Sequence, residues 1–156
     1  TDKMTVWAGV HKASDVAQGM LIESSSAVSG YAGAFFIAAP TAAGLPGYDL
    51  TSKGTTAVQA YSGGTFPAPA TSVLSAIADI AGDSALLRVN GVQRANATID
   101  QGTGNYGNYP LYIGARACTS LFFNGRLYGL TVRGAQSTLS QIEATELYIK
   151  QKMRLP

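Results

Sequence analysis

His11 is the only imidazole in the 156 residues, and Asp15 follows it by four positions. Such a pair is what a hydroxyl nucleophile needs for activation and orientation. Serines abound, yet none stands in a nucleophile-elbow context. His11 falls near the end of an alternating run, where it reads as a surface residue. Glycoside hydrolysis asks for two carboxyl groups roughly 5–10 Å apart. Asp79 and Asp83 are the close non-helical pair, but Gly82-Asp83 has the form of a turn that directs Asp83 to solvent. Gly102-Thr103-Gly104-Asn105-Tyr106-Gly107 spells G-x-G-x-x-G. That motif works only between a strand and a helix, and here a turn leads into another extended run. Cys118 has no second cysteine to pair with, and with His11 alone it builds no structural zinc site. No catalytic residue, metal site or cofactor is expected.

The loop from Asp100 to Pro110 carries a different chemistry. Tyr106 and Tyr109 sit there with Asp100, Asn105 and Asn108 among three glycines. Tyrosine faces stack on the C–H faces of sugar rings, and amide and carboxylate groups bond their hydroxyls. Asp100, Asn105, Tyr106, Asn108 and Tyr109 are therefore the candidate ligand- or partner-binding residues; the alternative is that the tyrosines cover the sandwich edge. Arg88, Arg94, Arg116, Arg126 and Arg133 all fall in the second half, at spacings that suit solvated strand margins. Asn96-Ala97-Thr98 is an N-glycosylation sequon, with meaning only in a secreted eukaryotic protein. Eleven basic against nine acidic residues leave a net charge of +2, too small to point to nucleic acid or an anionic membrane.

These residues must be placed by short extended runs. Met4 to Lys12 alternates, and Gly19–Ser24, Tyr31–Ala39, Thr56–Tyr61, Ser72–Ile80 and Ala85–Val89 follow. Asn90-Gly91 then sits between Val89 and Val92, a two-residue hairpin signal in which both turn positions take positive φ. Tyr109–Ala115 and Arg126–Arg133 complete the series. Strands this short, with turn signals this frequent, predict an all-β fold: a two-sheet antiparallel jelly-roll sandwich. Trp7, the only tryptophan, is expected to be buried in the core or beneath a helix. That helix is predicted from the capping box Thr138-Leu139-Ser140-Gln141 to Met153, with Pro156 closing the chain. Leu139, Ile142, Ile149 and Met153 share its stripe, Glu146 falls inside it, and Lys150 is the expected helical partner of Glu146.

Two charge-free stretches, Ser24–Tyr48 and Gly54–Ala78, are too rich in Gly, Pro, Ser and Thr to span a membrane. No basic n-region with a following apolar h-region opens the sequence, so no signal peptide is expected. With no internal repeat and no linker, one domain over residues 1–156 is predicted. The opening Thr1-Asp2-Lys3, without an initial methionine, reads as a trimmed chain or as a domain cut from a longer protein.

The second half resembles a known family. Ser84-Ala-Leu-Leu-Arg-Val-Asn-Gly-Val-Gln93 is similar to the hairpin of laminin G-like and concanavalin A-like jelly rolls. Leu111-Tyr-Ile-Gly114, Phe123-Asn-Gly-Arg-Leu-Tyr-Gly-Leu-Thr-Val-Arg133 and Thr138-Leu-Ser-Gln-Ile-Glu143 resemble the strands and closing helix that follow it in that family. The Ala/Ser/Gly-rich body and the tail at Glu146, Tyr148 and Lys152 look like domains attached to bacteriophage or prophage virion proteins. The glucanases of this superfamily carry Glu-x-Asp-x-x-Glu on one strand, a run missing here. The resemblance implies a non-catalytic structural or recognition domain of a virion protein, with other virion subunits as partners and self-association in prospect. A carbohydrate-binding, lectin-like module of a bacterial secreted protein is the alternative, with cell-surface glycan as partner. The expected location is accordingly the virion or the extracellular space.

Overall fold

In the computed structural model, which describes residues 1–154, ten antiparallel strands form two five-stranded sheets. The strands are β1 (Lys3–Lys12), β2 (Met20–Ser24), β3 (Phe35–Ala38), β4 (Asp49–Lys53) and β5 (Ala57–Tyr61), then β6 (Ala70–Asp79), β7 (Ser84–Val89), β8 (Val92–Ala97), β9 (Leu111–Ile113) and β10 (Gly125–Arg133). One sheet has the order β10-β1-β6-β7-β8 and the other β5-β4-β3-β2-β9. Their inner faces meet in an aliphatic core that includes Val6, Val10, Ile22, Ile37, Leu50, Leu74 and Leu87. This is the sandwich that the punctuated strand pattern predicts.

β7 and β8 are joined by Asn90-Gly91 with φ of 53° and 81°, the two left-handed positions that a type I′ turn requires. Asn90 also ties the turn to β6, because its Oδ1 accepts from Val73 N at 2.8 Å.

The alternation in β1 predicts one buried face, but nearly the whole strand is buried. The reason is a third layer. Helix α1 (Leu139–Lys152) lies on the outer face of the first sheet and covers Trp7, Val73 and Ile77 with Ile142, Ile149 and Met153. Trp7 is only 3% exposed, beneath the helix rather than between the sheets. Gly9 allows the close approach: a Cβ there would stand 2.5 Å from Met153 Sδ. The capping box forms, Thr138 Oγ1 accepting from Gln141 N at 3.3 Å and Gln141 Oε1 from Thr138 N at 3.1 Å. Leu139 does not join the stripe and stays exposed, and Pro156 lies outside the described residues.

Glu146 does not pair with Lys150 as its spacing predicts. It is buried, accepts from Ser75 Oγ at 2.8 Å, and receives Arg88 Nε at 2.8 Å and Nη2 at 3.1 Å. Arg88 is therefore no solvated margin but the partner that lets a carboxylate sit inside an apolar stripe. Asp83 is likewise half-buried, with a φ of 49°, and accepts from Gln101 N at 2.9 Å.

β4 has no counterpart in the sequence reading. Its Asp-Leu-Thr-Ser-Lys composition argues against a strand, yet β3 and β5 flank it and bury all but the last residue.

Candidate functional site

The loop from Asp100 to Pro110 is fastened along its length. Gly102 N donates to Asp100 Oδ1 at 2.6 Å, Tyr106 N to Thr1 O at 2.8 Å, Gly107 N to Gly33 O at 2.9 Å, and Ser25 N to Pro110 O at 2.9 Å. Gly33, at a φ of 75°, has no room for a side chain because the backbone carbonyl of Asn105 lies against it.

Tyr106 turns inward. Its hydroxyl bonds Ser52 Oγ at 2.6 Å, and its ring meets Phe35 edge to face at 5.8 Å, packed against the inter-sheet core. Burial raises its phenol pKa well above the ordinary value. A large aromatic ring gains more from the dry space between the sheets than from exposure on the loop, so Tyr106 anchors the loop. Asp100 caps the backbone of Gly102 and touches none of the other four candidates through a hydrogen bond.

Tyr109 is placed differently. It is half-buried, donates its hydroxyl to Ala32 O at 2.8 Å, and meets Tyr31 edge to face at 5.2 Å. Tyr31 is 40% exposed, and Asn105 and Asn108 are exposed on the same loop as Tyr109. Two aromatic rings held at a fixed angle, with amides nearby, form a shallow platform suited to the C–H face and hydroxyls of a sugar ring.

The platform rests on groups that no local motif announces. Tyr31 follows a single 3-10 turn, Val28–Gly30. That turn is held on the outer face of the second sheet by the fully buried Glu23, whose Oε1 accepts from Val28 N at 3.0 Å. Arg116 clamps Glu23 from the other side, Nε to Oε2 at 2.9 Å and Nη2 to Oε1 at 3.0 Å. Its guanidinium also stands 5.9 Å from the centre of the Phe36 ring. Lys53 Nζ donates to Val28 O at 3.2 Å and Ser29 O at 2.7 Å, closing the support. Arg116 too is thus a partner inside the structure rather than a solvated margin.

A cleft of about 440 Å³ between α1 and the β7–β8 hairpin is bordered by Thr71, Asn90, Glu146, Leu147 and Lys150. It has polar groups but no aromatic face on which a sugar could stack. His11 and Asp15 do not converge: His11 Nδ1 bonds Thr71 Oγ1 at 2.8 Å, while Asp15 pairs with the fully buried Lys12 at 2.5 Å. Among the described residues, no three His, Cys, Asp or Glu side chains gather to hold a metal.

Asp49 is the other buried carboxylate of the second sheet. Gln59 Nε2 donates to its Oδ2 at 2.7 Å, while Oδ1 has no hydrogen-bond partner among the described residues. Burial is the main cause that pushes its pKa up from 3.8 to about 6, against the opposing bonds from Gln59 and Thr51. The folded state therefore holds this proton more tightly than the unfolded chain. The stability it confers is complete below the unfolded pKa and is lost as pH rises to about 6. Asp49→Asn, which carries no charge, should escape that loss. Its stability relative to the wild type should improve by about 2 kcal/mol between pH 4 and pH 7 in denaturant titrations. A difference that does not change with pH would show that Asp49 ionises without penalty.

No family model and no curated protein matches the sequence. Solved structures do match its fold. The carbohydrate-binding domain CBM40 of the Ruminococcus gnavus IT-sialidase superposes with a TM-score of 0.68 at 14% identity, over 93% of this chain and 83% of that one. Domain 4 of AbnA, an extracellular arabinanase of Geobacillus stearothermophilus, was solved with arabinotriose and gives 0.68 at 16% identity, over 93% of this chain and 66% of that one. Domains LG4-5 of the mouse laminin alpha1 chain give 0.62 at 17% identity, over 87% and 36%. With two antiparallel five-stranded sheets, a C-terminal helix and these neighbours, the chain has the concanavalin A-like, laminin G-like jelly-roll fold.

Proposed function

We propose that this domain is a non-catalytic carbohydrate-binding module that takes a sugar ring on the Tyr31–Tyr109 pair. The observation that carries the reading is the edge-to-face contact of these two rings at 5.2 Å, at a surface flanked by the exposed amides of Asn105 and Asn108. Aromatic faces bring contact area at low entropic cost, and asparagines bring adaptable hydrogen bonds. Two neighbours of the same fold support the reading: the Ruminococcus domain was also solved with alpha2,3 sialyllactose, and the arabinanase domain with arabinotriose. They favour a glycan over virion subunits as the partner, and an extracellular location over the virion. No helix among the described residues is long and apolar enough to cross a membrane.

A glycan array with the purified domain, followed by calorimetry on its best ligand, tests the proposal. Tyr31→Ala should weaken binding by about 1–3 kcal/mol, the cost of losing an aromatic contact at the centre of a site. Its melting midpoint should stay close to that of the wild type, because Tyr31 is 40% exposed. Tyr106→Ala should do the reverse, lowering the midpoint through the lost packing on Phe35. Array silence, or full affinity in Tyr31→Ala, would overturn the proposal.

A further inference from the structure

The sandwich is closed on one side and open on the other. β5 packs against β8 on the closed side; β9 and β10, the opposite edges of the two sheets, have no comparable contact. Residues directly opposite in an antiparallel pair point to the same face. Val132 is opposite Val6 and Leu127 opposite Val10, so both belong to the inner face of the first sheet. Ile113 is opposite the core residue Ile22 and Leu111 opposite Ser24, which places them on the inner face of the second. Yet Val132 is 43% exposed, Leu127 36%, Ile113 53% and Leu111 44%. These are inner-face positions left exposed where the core would otherwise continue.

The backbone is open at the same place. Among the described residues β10 bonds only β1, so one side of a nine-residue strand keeps its N–H and C=O groups unpaired. Natural edges are blunted with proline, lysine or inward charges. β10 has neither proline nor lysine, and its two arginines, Arg126 and Arg133, flank an uncharged Leu127–Val132. A bulge at Tyr128, between the pairs Gly9–Gly129 and Val10–Leu127, leaves Gly129–Arg133 as the regular stretch.

We infer that this edge is a homodimer interface in which β10 pairs antiparallel with β10 of a second copy, with the twofold axis at Thr131. That register sets Leu130 opposite Val132 of the partner copy and Arg133 opposite Gly129, so no like charges face each other. The two five-stranded sheets become one continuous ten-stranded sheet, and both open mouths close together. With Phe122 and Tyr128, which are 64% and 42% exposed, the apolar side chains here offer about 500 Å² per copy, a patch of the size that marks interaction sites. Complete burial of this surface in both copies would remove about 1000 Å² from water, an upper limit that just reaches the lower bound for a specific association. Only a surface that is its own complement satisfies these terms with identical partners.

Sedimentation and light scattering of the full chain over a concentration series test the inference. The wild type should approach twice the 16.1 kDa monomer mass as concentration rises. Thr131→Lys, at an exposed position, sets two ammonium groups face to face on the axis, and should stay monomeric with an unchanged circular dichroism spectrum. Thr131→Glu should be monomeric as well, and an equal mixture of the two variants should recover the dimer mass. A monomeric wild type at high concentration would overturn the inference. So would a dimer that survives Thr131→Lys, or a mixture that fails to associate.

Discussion

Trp7→Ala should lower the free energy of unfolding by about 3–5 kcal/mol, as truncation of a large buried aromatic does when the cavity cannot collapse. Collapse is resisted on both sides. Below the indole lies its own strand β1, hydrogen-bonded on both sides to β10 and β6, and above it lie Ile142, Ile149 and Met153 of α1. Urea titration of the two proteins would show a lower midpoint with little change in slope. A loss below about 1 kcal/mol would mean that α1 settles into the vacated space.

Glu146→Ala is expected to be as damaging for a different reason. The carboxylate is buried and is the acceptor for both Arg88 Nε and Ser75 Oγ. Its removal leaves a guanidinium whose side chain is only 12% exposed with Glu143 at 3.9 Å as its remaining carboxylate, and removing one partner of a buried pair typically costs about 3–5 kcal/mol. Arg88 keeps its bond to Gly91 O at 2.7 Å, which relieves part of the deficit. The double variant Arg88→Met with Glu146→Leu should recover most of the loss in thermal melts, because an apolar pair removes both charges at once. If the double variant is no more stable than Glu146→Ala, the pair itself contributes the stability rather than the avoidance of an orphan charge.

Local patterns announced much of this fold. Asn90-Gly91 is a turn whose φ demands are met by two adjacent residues, and the Thr138–Gln141 box closes within a single helical turn. Information that local is legible in one dimension. β4 was not, because Asp49, Thr51 and Ser52 are strand residues only by virtue of the neighbours that flank them. The candidate site divides along the same line. Tyr109 was visible as part of a loop rich in tyrosine and asparagine, whereas Tyr31 reaches it from far earlier in the chain. The sequence marks two tyrosines in the loop but not which turns inward; that choice is made by Phe35 and Ser52. Glu146 looked like a flaw in an apolar stripe until Arg88 came to meet it.

The first sheet separates two apolar compartments, one between the sheets and one under α1. Opening the second does not require opening the first. The helix can therefore detach as a cooperative unit of its own, at a free energy below that of global unfolding. Its amide protons would then exchange with deuterium ahead of those in β1 and β6. Because the single tryptophan lies in the outer compartment, indole emission reports the docking of α1, and an early spectral shift on heating would record a helix leaving an intact sandwich.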